Sequence, residues 1–159
     1  MPRAISVFLS RPTWLASDFA RGHEGFLEVM RTLDLVPRTV GTTDFGIRSP
    51  LDQVIALMKQ CSGAIILGYP QIVATAGTVK EGTITSPITL ATEWNHIEGG
   101  LAHASGLPLL AIHHTGIDRG IFSRGAMNAY LYQRDLTDPG WPLAKELQGA
   151  LKAWRTECL

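Results

Sequence analysis

The sequence predicts an α/β domain with a central, mostly parallel sheet covered by helices on both faces. Three observations carry that expectation. Short apolar stretches alternate with segments of helical periodicity, the pattern of strand–helix–strand units. The strand candidates, above all Ala64-Ile65-Ile66-Leu67, are apolar at every position, as strands buried on both faces are. The chain has 159 residues, 45% hydrophobic and 18% charged, enough for one ordinary core but not for two. One domain is therefore expected over residues 1–159.

Ala4 to Leu9 reads as the first strand, stopped by Arg11-Pro12. A long helix is predicted from about Trp14 to Leu33, with Phe19, His23, Phe26, Leu27, Met30 and Leu33 on its buried stripe. Gly22 and Gly25 weaken its middle, at about 1 kcal/mol each against alanine. Leu35 to Val40 reads as a short strand whose Pro37 suits an edge or a strand start. Gly41 to Arg48 is turn-rich, and Ser49-Pro50 then caps a helix with face Leu51, Val54, Ile55 and Met58. Ala64 to Gly68 is the expected central strand. Tyr69 to Thr89 has no regular pattern, and a loop of that length in a small domain points to function or mobility. A helix follows from about Leu90 to Ser105, stopped by Gly106, then a strand over Leu107 to Ile112. Met127 to Tyr132 is the last strand expected, and Leu143 to Trp154 the closing helix.

Composition removes several function classes. Lys plus Arg and Asp plus Glu both total 14, so no basic surplus draws nucleic acid or an anionic membrane. No apolar run approaches the roughly 20 residues that span a bilayer, and the N-terminus lacks the pattern of a signal peptide. Cys61 and Cys158 match no metal-ligand spacing, and a reduced, cytoplasmic protein is expected. Phosphate loops of the G-x-G-x-x-G and G-x-x-x-x-G-K-[ST] kinds are absent, as is a G-x-S-x-G nucleophile elbow. His113-His114 has no third ligand at zinc spacing and reads as a loop or rim pair. No metal is expected.

In sheets of this kind ligands bind beyond the carboxyl ends of the strands, where strand order reverses. The chain segments expected there are 10–14, 41–48, 68–71 and 113–116. Nearby in the sequence stands Glu98. Trp94, Ile97 and Leu101 form a helical stripe expected to face the core, and Glu98 lies one turn beyond Trp94. Gly99 and Gly100 follow it, costly in mid-helix unless something approaches closely there. Spacing alone leaves two readings open. Glu98 is either a solvated flank residue beside glycines that permit tight packing, or a carboxylate at the edge of a binding site.

Trp94-Asn95-His96-Ile97-Glu98, followed by Ser105-Gly106-Leu107-Pro108-Leu109-Leu110-Ala111-Ile112, resembles the W-x-x-x-E and following G-[KL]-x-[IVL] stretch of enzymatic TIR domains. Glu98-Gly99-Gly100-Leu101-Ala102 with Gly106-Leu107-Pro108-Leu109 is also similar to the E-x-G-x-A…G-x-P-[VIL] stretch of nucleoside deoxyribosyltransferases, a related flavodoxin-like group. Val7-Phe8-Leu9-Ser10-Arg11 resembles the V-F-[IL]-S-[YHR] opening of a TIR domain. Ser10 to Trp14 with Asp18 is similar to the proline- and aromatic-containing loop of the transferases. The likeness touches most of residues 4–112, and Tyr69 to Thr89 departs from the compact serine-bearing loop of TIR domains.

The resemblance implies a flavodoxin-like/TIR-like three-layer domain and a carboxylate, Glu98, acting on an N-glycosidic bond. Loss of a base leaves oxocarbenium-like charge on the sugar, which a carboxylate stabilises or captures. The implied substrate is NAD or a related nucleotide, with no separate cofactor, in a glycohydrolase or cyclic-product synthase of bacterial antiphage defence that works as a homo-oligomer. Ser10, Arg11, Trp14, Tyr69 and Trp94 are the implied substrate contacts. Arg11 suits phosphate, against a plain surface role. The three aromatics suit base stacking, against structural packing. Two alternatives stand beside this: a nucleoside or nucleotide deoxyribosyltransferase or hydrolase, and a non-catalytic nucleotide sensor or assembly module that associates through its apolar faces and residues 41–48.

Overall fold

The computed structural model describes residues 3–127 and 129–159. Met1 and Pro2, at the N-terminus read above, and Asn128, in the expected last strand, lie outside the described residues. In chain order the elements are β1 (Ile5–Ser10), α1 (Ser17–Thr32), β2 (Leu35–Arg38), α2 (Pro50–Met58) and β3 (Gly63–Gly68). Then come β4 (Ile72–Ala74), β5 (Thr78–Val79), β6 (Gly82–Thr83), β7 (Ile88–Leu90), α3 (Glu93–Ala104), β8 (Leu109–His114), β9 (Tyr130–Arg134) and α4 (Lys145–Glu157). Five strands form one sheet in the order β2-β1-β3-β8-β9, each pair parallel. This is the flavodoxin-like arrangement, a three-layer α/β fold. The chain steps outward from β1 to β2, then reverses across β1 to β3, so the switch point lies between β1 and β3.

Alternation along the strands feeds two cores. Ile5, Val7 and Leu9 of β1, Ile65 and Leu67 of β3, and Leu110 and Ile112 of β8 pack against Phe19, Phe26 and Met30 of α1 and Leu147, Leu151 and Trp154 of α4. The intervening Phe8, Ala64, Ile66, Leu109 and Ala111 pack against Val54, Leu57 and Met58 of α2 and Ala102 of α3. Because successive side chains point to opposite faces, Ser10 follows Phe8 onto the α2/α3 side. Pro37 sits in β2, an edge strand, where its missing N–H is tolerated. No described helix is long and apolar enough to cross a membrane.

Several expectations need correction. Helix α1 begins at Ser17 rather than Trp14, β2 stops at Arg38, and α4 starts at Lys145 after a 3-10 turn over Trp141–Leu143. The last strand is Tyr130–Arg134, displaced toward the C-terminus by its register with β8. The stretch after Tyr69 is not irregular throughout: β4 pairs with β7 and β5 with β6 as two small antiparallel ribbons. On α2 the buried residues are Val54, Leu57 and Met58, whereas Leu51 is exposed. The Ser49 cap forms as expected, its hydroxyl accepting from the Asp52 N–H at 3.3 Å. Gly22 has a packing use beside its cost to the helix, since the Trp141 indole occupies the space of a side chain there.

Helix α3 is the correction with most consequence. Its buried residues are Asn95, Gly99 and Ala102, while Trp94 and Ile97 are 40% and 42% exposed. The helix is turned by one residue, about 100°, from the expected stripe. Small side chains let its backbone approach the sheet, which Trp94 on that face would prevent. The two glycines therefore differ. A Cβ on Gly99 would lie 2.8 Å from Ile121 Cδ1, whereas one on Gly100 would meet nothing within 4 Å. Gly100→Ala is expected to stabilise the protein by about 0.5–1 kcal/mol, and Gly99→Ala, which must first displace the end of the Ile121 side chain, to stabilise it less. Urea denaturation of both variants checks this.

Candidate active site

The site lies beyond the carboxyl ends of β1, β2 and β3. A cavity of about 260 Å³ there is lined by Arg11, Pro12 and Thr13 after β1, Thr39 and Val40 after β2, Pro50 and Val54 of α2, Gln71 after β3, and Thr92, Trp94 and Glu98 at α3. Its walls are tied together. Thr39 Oγ1 donates to the Leu9 carbonyl at 2.7 Å, fixing the end of β2 to the end of β1. Arg38 pairs with Asp44 and holds the following turn. Gln71 Nε2 donates to the Trp14 carbonyl at 3.3 Å, joining the loops after β3 and β1.

Helix α3 enters through Thr92, whose Oγ1 accepts from the Asn95 N–H at 3.0 Å. From that fixed start, Asn95 and Glu98 fall on adjacent turns facing the end of β1. Asn95 Nδ2 donates to Ser10 Oγ at 2.9 Å, and both residues are 1% exposed. Glu98 is half-buried. Burial lifts its carboxyl from the ordinary carboxylate range to about 7, against the pull of a hydrogen bond from Ser10. Glu98 and Arg11 are the charged side chains of the cavity lining. Both residues line the cavity, but the Arg11 charge is felt at His23 and Tyr69 rather than at Glu98.

The predicted residues separate into two groups. Glu98, Arg11 and Trp94 meet at the cavity, so Trp94 is a wall residue and not part of the core. Ser10 is outside the lining, and its buried hydroxyl accepts from Asn95 rather than facing open space. Tyr69 is fully buried, and the sequence expectation of base stacking fails there. Its hydroxyl meets His23 Nδ1 at 3.0 Å and its ring packs edge-on against Phe19. Burial, then the Arg11 charge, lowers His23 to about 4, so the pair is neutral. Trp14 is 64% exposed and outside the cavity lining. His113 is buried in β8 against Phe122, and His114 Nδ1 accepts from the Leu136 N–H at 3.1 Å. Among the described residues no three His, Cys, Asp or Glu side chains cluster as metal ligands. Asn95, Thr39, Thr92 and Gln71 were missed. A signal for the first exists in Thr92-x-x-Asn95-x-x-Glu98, polar residues repeating every three positions.

This arrangement defines a flavodoxin-like domain with a buried carboxyl at its switch point. Neither a protein-family model nor a curated protein matches the chain. Among solved structures it is similar to that of the Clostridium botulinum CMP N-glycosidase, BcmB, with a TM-score of 0.54 and 13% identity. The match covers 94% of this chain and 98% of that one. At that identity the likeness is one of fold.

The raised carboxyl has a consequence for stability. In the unfolded chain Glu98 ionises near 4.5, in the folded one near 7, so the folded state holds the extra proton between those values. Its contribution to stability falls as pH rises from about 4.5 to about 7 and is flat above, by an amount on the order of 2–3 kcal/mol. Glu98→Gln should therefore be more stable than the parent at pH 8 and equal to it near pH 4. Thermal or urea unfolding at both values checks the sign.

Proposed function

We propose that the protein cleaves the N-glycosidic bond of a nucleotide, with Glu98 as the catalytic carboxylate. The observation that carries this reading is the partly buried Glu98 carboxyl in the lining of a cavity at the switch point, a lining that also includes Arg11. In the reaction the C1′–N bond breaks and its electron pair leaves with the base. The Glu98 carboxylate offsets the positive charge left on C1′ or bonds to it. Water then delivers hydroxide to C1′ and gives up a proton. Arg11 suits the substrate phosphate, which its guanidinium can grip in two places, and Trp94 suits the base or ribose face.

The lining favours a base that already carries positive charge. Glu98 is its one acidic side chain, and while it serves as the anion no second acid is there to protonate a neutral leaving base. Nicotinamide in NAD is cationic and leaves without protonation, so one carboxylate suffices. A volume of about 260 Å³ is slightly below that of typical ligand clefts, roughly 300–1,000 Å³. It suits the nicotinamide mononucleotide half, with the rest of NAD outside. This is the NAD-cleaving, TIR-like reading. The fold shared with a CMP N-glycosidase supports a second, hydrolysis or transfer on a nucleoside monophosphate such as CMP. Self-association also belongs to the proposal, since Phe45 and Ile47 on the loop beside the cavity are exposed.

Purified protein offered NAD, nicotinamide mononucleotide and CMP should release free base from at least one, followed by chromatography. Glu98→Gln should lower the rate by about 10²-fold or more. Arg11→Ala should raise KM for the nucleotide roughly tenfold, the loss of one charge-assisted contact, while sparing the corresponding nucleoside. Full activity in Glu98→Gln would sink the assignment.

A further inference from the structure

Gln71 lines the cavity, and the backbone settles which way its amide points. Its Nε2 donates to the Pro70 carbonyl at 2.9 Å and to the Trp14 carbonyl at 3.3 Å. Carbonyl oxygens only accept, so the amide atom set against two of them must be the NH2 group, which has the two protons they require. The backbone N–H of Gln71 is also spent, on the Leu90 carbonyl at 2.9 Å, at the root of the β4–β7 ribbon. What remains for a ligand on the side chain is Oε1. No group among the described residues donates to it, and it is accessible rather than buried. Gln71 itself is half-buried, in the lining that also holds Glu98 and Trp94.

A hydroxyl can turn to give or to receive, but an amide oxygen held in one orientation can only receive. A ligand group set against it gains if it carries an N–H and is repelled if it carries an oxygen lone pair. We propose that Gln71 is a specificity-determining residue: its Oε1 accepts from an N–H on the leaving base. The site then selects bases that bear an amine or a carboxamide over counterparts that bear a carbonyl or a carboxylate in its place. Cytosine and nicotinamide belong to the first class, uracil and nicotinate to the second. The two backbone carbonyls make the choice stiff, because turning the amide over would set its oxygen against both of them. This inference rests on the glycosidase reading for the kind of ligand, but its test is binding and needs no turnover.

The test is calorimetric binding to the full chain carrying Glu98→Gln, which removes both turnover and the Glu98 charge. Four mononucleotides are compared in two pairs: CMP against UMP, and nicotinamide mononucleotide against nicotinic acid mononucleotide. The first member of each pair should bind about tenfold more tightly or better, the worth of one hydrogen bond gained against one acceptor opposed. Adding Gln71→Leu should bring each pair to within about twofold, mainly by weakening the first member. Gln71→Glu, which loses the donor to the two carbonyls but keeps an acceptor, should retain the preference. A residue that only ties the loops together would lower all four affinities alike in both variants and leave the ratios unchanged. Equal binding within the pairs, preference for the carbonyl or carboxylate member, a ratio unmoved by Gln71→Leu, or one lost in Gln71→Glu would overturn the proposal. Gln71→Met, of similar length and without the acceptor, repeats the test if the leucine variant does not fold. In the parent chain, base release with equal kcat/KM within each pair would keep the glycosidase reading and remove this one. A preference that depends on Gln71, in a protein that releases no base, would do the reverse. Failure of all four to bind would overturn both.

Discussion

The structure depends on one constraint: a parallel sheet with helices on both faces leaves its inner strands no solvent. Val7, Phe8 and Leu9 are all buried, and so are Ala64 to Leu67 and Leu109 to Ile112. Polar chemistry is therefore pushed to the strand ends, and the reversal of direction at β1 opens a crevice at one of them. Ser10 is where β1 stops being apolar, and it does so on the side facing α3. The candidate site is the place where the buried sheet first meets polar side chains.

That position explains the balance at Glu98. Deeper in the sheet a carboxyl would stay neutral, and on the outer face of α3 it would titrate like any surface glutamate. Half-buried against Ser10, it sits near 7, able to exist in either form at neutral pH. Small residues make this possible. Ala102 lets α3 settle close to the sheet and Gly99 leaves room for Ile121, which together hold Asn95 against Ser10 of β1. The raised carboxyl is a cost to stability that a glutamine would not carry, as expected where a group is retained for reactivity.

Much of the fold was legible because its signals are local and strong. Unbroken apolar strands and the Ser49-Pro50 cap each have one reading, and Pro37 allowed an edge or a strand start, of which the structure takes the edge. The face of α3 was not. Trp94, Ile97 and Leu101 form as good a stripe as Asn95, Gly99 and Ala102, yet of the three only Leu101 packs against the core. Close packing of small residues and a cavity needing a wall reverse the choice, and both are tertiary facts. Tyr69 failed for a related reason. An aromatic at a strand end looks available for stacking, but the end of β3 is still inside the core, where Tyr69 finds His23 and Phe19. The ribbons β4–β7 and β5–β6 are too short for periodicity to register. Glu98 and Arg11 stood out from their motifs, and their place in the lining of one cavity required the fold.

The central claim is that the ionised Glu98 carboxylate does the work on a glycosidic bond. The pH dependence of kcat/KM for base release from NAD or a nucleoside monophosphate tests it most directly. The rate should rise through a single ionisation near 7 and level off above it, the behaviour of a carboxylate lifted by burial that acts as anion. A rate that is flat from pH 5 to pH 9, or that falls through neutrality as a general acid's would, contradicts the account.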